Sequence, residues 1–217
     1  MRRIVPAILS DDLDAMHKMV KEAETFCSWM QYDIMDKIFV PSQSVKVKDA
    51  VKTAPSCGWE AHLMTVHPEK HFKNLAKAGC RRIIIHVEAV EDAPKLLKKI
   101  KDLGCEAGLA INPDTPLSVL TPEILAEMDY ILFMSVYPGY YGRPFVPEVL
   151  DKMREFKAQG HDIIIGIDGG VKLANVKEVA DAGAEEICVG SAVFAQADKA
   201  AAYKTLTETA ATSWNAQ

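Results

Sequence analysis

The chain alternates between short apolar runs and longer stretches in which apolar residues return every three or four positions. Eight runs stand out: RIVPAIL (3–9), SWMQYDIM (28–35), WEAHLM (59–64), RRIIIHVEA (81–89), CEAGLAIN (105–112), DYILFMSV (129–136), DIIIGID (162–168) and EEICVGS (185–191). Their length and β-branched content predict strands. Between them DDLDAMHKMVKEAETF, HPEKHFKNLAKAG, VEDAPKLLKKIKDLG, PFVPEVLDKMREFKAQG and KLANVKEVADAGA carry the helical period. Gly79, Gly104, Gly160 and Gly183 fall where a helix must end before the next strand. Only 43–57 is weak, with SVKVKDAVKTA supporting a short helix.

Eight strand and helix alternations without a linker or low-complexity tract predict one (β/α)8 barrel, a TIM barrel, as a single domain over residues 1–217. An open doubly wound sheet is the alternative. The lack of a GxGxxG after the first strand counts against it.

Composition narrows the partners. With 49% hydrophobic and 25% charged residues, a net charge of −5 and a pI near 5.7, nothing draws the chain to nucleic acid or to an anionic membrane. No apolar run is long enough to span a bilayer and the start does not read as a signal peptide, so a cytoplasmic location is expected. Cys27, Cys57, Cys80, Cys105 and Cys188 are too far apart for a paired-cysteine zinc motif and read as reduced, buried thiols.

A barrel of this kind builds its site where the strands end. The polar residues there are Ser10, Gln31, Asp33, His62, His86, Asn112, Ser135, Asp168 and Ser191. Gln31, Asp33 and Met35 share one face of their strand by alternation, and a buried carboxylate needs a reason. Asp33 and Asp168 belong to the second and seventh strands and so approach a ligand from different sides. Two such carboxylates suit removal of a proton α to a carbonyl by one and its return to the opposite face by the other. A divalent ion held by both and by His62 would stabilise the resulting enediolate; helix or loop capping is the bland alternative for each Asp. Three glycine-bearing turns, YPGYYGRPF (137–145), DGGV (168–171) and VGSAVF (189–194), offer backbone N–H groups to a phosphate through Gly169, Gly170, Gly190 and Ser191. His86 and Asn112 suit core hydrogen bonding and substrate contact equally. No predicted strand holds a lysine for a Schiff base, and His17, His67, His71 and His161 read as solvated.

PAILS (6–10), DIMDKIFVP (33–41), HLM (62–64), HVEA (86–89), NPDTPL (112–117), PGYYGRPF (138–145), DGGV (168–171) and GSAVF (190–194) together resemble the ribulose-phosphate 3-epimerase family along almost the whole chain. That resemblance implies a metal-dependent isomerase of the pentose phosphate pathway interconverting D-ribulose 5-phosphate and D-xylulose 5-phosphate. It implies Asp33 as general base and ligand, Asp168 as general acid and ligand, and His62 as a third ligand. Ser10 would touch substrate, Gly139, Tyr140, Tyr141, Gly142, Gly190 and Ser191 would hold phosphate, and Met35, Met64 and Met134 would line the pocket. Zinc is the common ion, with manganese, iron and cobalt open. Homo-oligomers are frequent among such barrels.

The chain also departs from the family. Gln31 stands where a metal-binding His is expected; an amide oxygen can coordinate a divalent ion but is a poorer zinc ligand than imidazole, which loosens the site and shifts preference toward harder ions. Lys37 and Ile38 replace the Gly-His of MDGH. Tyr141 stands for a Gly and Arg143 for a Gln, so Arg143 would add a charge-assisted phosphate contact. An epimerase for another ketose phosphate, such as a hexulose 6-phosphate, and a non-catalytic phosphosugar binder are the alternatives.

Overall fold

A computed structural model describes residues 2–139 and 144–214. Eight parallel strands close in sequence order into one barrel. They are β1 (Arg3–Ile8), β2 (Trp29–Met35), β3 (Gly58–Met64), β4 (Arg82–His86), β5 (Glu106–Ile111), β6 (Tyr130–Met134), β7 (Ile164–Asp168) and β8 (Glu186–Val189). Each lies inside or within a residue of the run that predicts it. The helices are α1 (Leu13–Ala23), α2 (Val47–Ala50), α3 (Phe72–Lys77), α4 (Ala93–Asp102), α5 (Pro122–Glu127), α6 (Glu148–Ala158), α7 (Val176–Asp181), α8 (Ser191–Phe194) and α9 (Lys199–Trp214). The weak 43–57 segment yields only α2 and a 3-10 turn, Val51–Thr53.

Local chemistry explains the helices. Asp12 caps α1 by accepting the Ala15 N–H, and Met16, Val20 and Ala23 form its buried stripe. Asp92 caps α4 in the same way, ahead of buried Ala93, Leu97 and Ile100. The four glycines between helix and strand, Gly79, Gly104, Gly160 and Gly183, all have positive φ, as a left-handed cap requires.

Alternation splits the core in two. Tyr32, Ile34, Ile83, Ile85 and Phe133 point outward into the layer beneath the helices, whereas Val5, Ile84, Leu132, Met134 and Cys188 pack inside the barrel. The inner faces also carry charge. Toward the strand N-termini Arg82 is wholly buried and ion-paired to Glu60 (2.7 Å), Glu186 (2.6 Å) and Glu106 (2.7 Å). It lies 3.9 Å from the centre of the Tyr130 ring, while Arg3 covers Trp29 and pairs with Glu186. Burial pushes the Glu60 carboxyl up to about 7 despite Arg82. The opposite end of the interior, at the strand C-termini, holds the second polar group.

No described helix is long and apolar enough to cross a membrane, and all five cysteines are free thiols.

Candidate active site

Strand register assembles this second group. Asp33 on β2 is level with His62 on β3, and Asp168 on β7 lies between Met134 on β6 and Cys188 on β8. One atom ties the two carboxylates together. Gln31 Nε2 donates to Asp33 Oδ1 and to Asp168 Oδ2, each at 2.8 Å. His62 Nδ1 is 3.1 Å from Asp33 Oδ1 and 3.5 Å from Asp168 Oδ2. Cys188 Sγ donates to Gln31 Oε1 at 3.2 Å, which gives both ends of the amide a partner.

The charges strain against their surroundings. Burial, and then the neighbouring Asp168 charge, raise Asp33 to about 6. Burial alone would lower His62, but its hydrogen bonds to Asp168 and Asp33 prevail and raise it to about 9. Burial and Asp168 hold the Cys188 thiol well above its ordinary value, so it stays protonated.

Behind His62 runs a buried chain of hydrogen bonds. His62 Nε2 lies 2.9 Å from His86 Nε2, and His86 Nδ1 lies 3.2 Å from Glu88 Oε2. Burial pushes His86 down to about 4, which keeps it neutral. Burial opposes ionisation of Glu88, but hydrogen bonds from His86, Thr115 and the Asn112 N–H hold it below its usual range. The direction of the chain follows: Glu88 accepts from His86 Nδ1–H, His86 Nε2 accepts from His62 Nε2–H, and His62 Nδ1 is left facing the carboxylates. There it donates when charged and offers a lone pair when neutral.

Asp33, His62 and Asp168 each present one ligand atom within 4.8 Å of the others, which is a donor set for a metal ion. Two carboxylate oxygens and an imidazole nitrogen fit a first-row divalent cation. The crowding that raises Asp33 is what such a charge would relieve.

Above this group opens a cavity lined by Met35, Met64, Met134, Asp33, Asp168 and Cys188, with Gly139, Gly169, Gly170, Gly190 and Ser191 at its mouth. Gly169 has φ +114°, and a Cβ there would stand 2.4 Å from Val136 Cγ2. Gly190 differs: φ is −97° and an added Cβ would meet nothing closer than Ala7 O at 4.0 Å.

Several expectations need correcting or completing. Ser10 is not among the cavity-lining residues; its hydroxyl turns back to the Asp12 backbone at the entry to α1. His86 sits behind His62 with both ring nitrogens in buried hydrogen bonds and is not among the cavity-lining residues. Asn112 gives its N–H to Glu88, and Ser135 bonds the Asp168 and Gly169 carbonyls. His71 is half-buried rather than solvated. Lys37 takes a left-handed φ of 64°, consistent with a glycine being expected at that position. Tyr140, Tyr141, Gly142 and Arg143 lie outside the described residues. Sequence reasoning missed Glu88 and Cys188; the signal for each was its parity with a residue already chosen, two positions from His86 and from Gly190.

A family model described as the ribulose-phosphate 3 epimerase family matches residues 3–194. Ribulose-phosphate 3-epimerase of Synechocystis sp. is 40% identical over 200 residues, covering 88% of this chain and 86% of its own length. The protein of that name from Escherichia coli (strain K12) is 37% identical over 206 residues, with 90% of both chains covered. Among solved structures, 3-keto-L-gulonate-6-phosphate decarboxylase from Vibrio cholerae superposes with a TM-score of 0.75 at 14% identity, over 99% of this chain and all of its own. The 3-hexulose-6-phosphate synthase from Salmonella typhimurium gives 0.72 at 15%, covering 98% of this chain and 100% of the other. At such low identity these two speak to the fold alone.

Proposed function

The chain belongs to the ribulose-phosphate 3-epimerase family, and with that activity as premise we propose how its own residues perform the reaction. It is an isomerase that interconverts D-ribulose 5-phosphate and D-xylulose 5-phosphate. Asp33 removes the C3 proton of ribulose 5-phosphate, and the C3–H electron pair moves into a C2–C3 double bond as the C2 carbonyl becomes an enediolate oxygen. Asp168 then delivers a proton to the other face of C3, which inverts that centre. The observation that carries this reading is the position of Asp33 and Asp168, on strands β2 and β7, lining one cavity and bridged by one amide nitrogen.

Asp33, His62 and Asp168 would hold a divalent ion, which would supply the positive charge that so weak a carbon acid needs to ionise. Zinc, manganese, iron and cobalt are the ions considered. Gln31 lies against both carboxylates and keeps them close, and the Glu88 to His62 chain orients the imidazole. Met35, Met64 and Met134 wall the reacting carbon with apolar, polarisable surface and keep water from it. Backbone N–H groups at Gly169, Gly170, Gly190 and Ser191 receive the phosphate, so an acidic protein holds an anion without a general positive field. A cytoplasmic setting with reduced thiols completes the proposal.

Asp33→Asn tests it. The expected result is a loss of epimerisation of ribulose 5-phosphate by about 10²- to 10⁴-fold, the size of a general base contribution, with the fold retained. Turnover within a few-fold of the parent would remove Asp33 from that role.

A further inference from the structure

Gln31 and Cys188 are tied to the cluster but take no part in either proton transfer. Both are buried, at 0% and 1% exposure, on the inner faces of β2 and β8, the two strands that flank β1. The amide has two donors and spends both on the oxygens, Asp33 Oδ1 and Asp168 Oδ2, that form the metal-binding set with His62 Nδ1. Its oxygen takes the Cys188 S–H. In this arrangement the amide nitrogen bridges the carboxylates and presents to them an N–H, which no cation accepts as a ligand.

Rotation about Cγ–Cδ exchanges the two ends of an amide at little steric cost, since O and NH2 are nearly equal in size. Turned over, Oε1 faces Asp33, His62 and Asp168 and the NH2 faces Cys188 Sγ. A thiol is suited to both states because its S–H donates and its sulfur accepts. Valine would fill the same space but would leave Oε1 unpaired in one state and the NH2 unpaired in the other.

We propose that Gln31 is a reversible fourth metal ligand whose amide turns over on ion binding with Cys188 as its partner in both states, and that this shifts the centre's preference from zinc toward oxygen-seeking ions such as Mn2+. The inference rests on the reading that Asp33, His62 and Asp168 hold a divalent ion. The donor set becomes three oxygens and one nitrogen, which favours manganese relative to a set with two imidazoles. Ion binding also gives up two charge-assisted hydrogen bonds, so every ion binds more weakly than it would without the bridge.

The experiment is calorimetric titration of ion-stripped protein with Mn2+ and with Zn2+, without substrate, with the spin-resonance signal of Mn2+ as a second measure. Gln31→His is expected to raise the ratio of zinc to manganese affinity by about tenfold or more, the range in which metal-site substitutions act. Cys188→Val removes the amide's partner from both states, so it is expected to leave Mn2+ affinity within about twofold and to lower the melting temperature clearly more when Gln31 is present than in the Gln31→His background. Cys188→Ser, which donates and accepts, should melt as the parent does, and it separates lost partnership from lost packing. An unchanged affinity ratio in Gln31→His, or an equal loss of melting temperature on Cys188→Val in both backgrounds, overturns the proposal. Because no substrate is present, its failure leaves the epimerase reading intact, and an enzyme without epimerase activity leaves these ratios readable.

Discussion

Glu88 never reaches the carboxylate pair, yet it decides which nitrogen of His62 does. Its carboxylate can only accept, so it fixes the proton on His86 Nδ1 and, one ring further on, the proton on His62 Nε2. Glu88→Gln gives His86 an amide that can donate instead, and the protons of both rings are free to exchange positions. Metal affinity is expected to fall about ten- to hundredfold, as for other groups that orient a ligand, with the melting curve unchanged. Nitrogen-15 shifts of His86, which stays neutral, should report the swapped tautomer, which a purely structural role of Glu88 would not move. Residues of this kind are hard to find in a sequence. Asp33 and Asp168 were legible because charge in an apolar strand is anomalous. Glu88 sits just past a strand end, where a glutamate is unremarkable, and Cys188 in an apolar run reads as packing.

Elements were legible to the extent that period carried them. The strands were plain because apolar runs of fixed spacing ended at turns and capping glycines. α5 is only Pro122–Glu127 and offers barely more than one turn of pattern. α9 is rich in Ala and Thr and has little apolar stripe; Leu206, Ala210, Ser213 and Trp214 are buried, and Tyr203 packs on Phe26. The turns after β7 and β8 allow a clean comparison between glycines of different purpose. Gly169→Ala forces a side chain onto positive φ against Val136 and is expected to destabilise the fold by about 1–3 kcal/mol. Gly190→Ala meets open space, so it should cost less stability than Gly169→Ala while KM for the phosphorylated substrate rises about tenfold, the cost of crowding one charge-assisted contact. Denaturant melts and initial-rate kinetics on the pair decide whether the Gly190 turn faces the phosphate. A Gly190→Ala enzyme with unchanged KM would show that it does not.

For the molecule as a whole, the barrel interior keeps two separate polar groups, one for function and one beneath it. The lower group was not legible, because Glu60, Arg82 and Glu186 lie in different strands and only closure of the barrel brings them together. It makes stability depend on pH. Glu60 takes up its proton near pH 7 when folded and near 4.5, its ordinary value, when unfolded. Between those values the folded chain holds the extra proton, so the stability Glu60 contributes is fully present below about 4.5 and is lost as pH rises through 7. Urea melts should show stability declining over that window, and Glu60→Gln should flatten the decline; an identical slope in the variant would assign it to other groups. The upper group rests on a division of labour between two strands, and isotope exchange reads that division directly. Ribulose 5-phosphate is incubated with Asp168→Asn protein in deuterated water, and deuterium at C3 is measured beside the yield of xylulose 5-phosphate. The expected outcome is deuterium entering C3 of ribulose 5-phosphate through Asp33 while inversion is largely lost. Inversion at the parent rate, with or without deuterium, would contradict a mechanism in which Asp33 and Asp168 each serve one face.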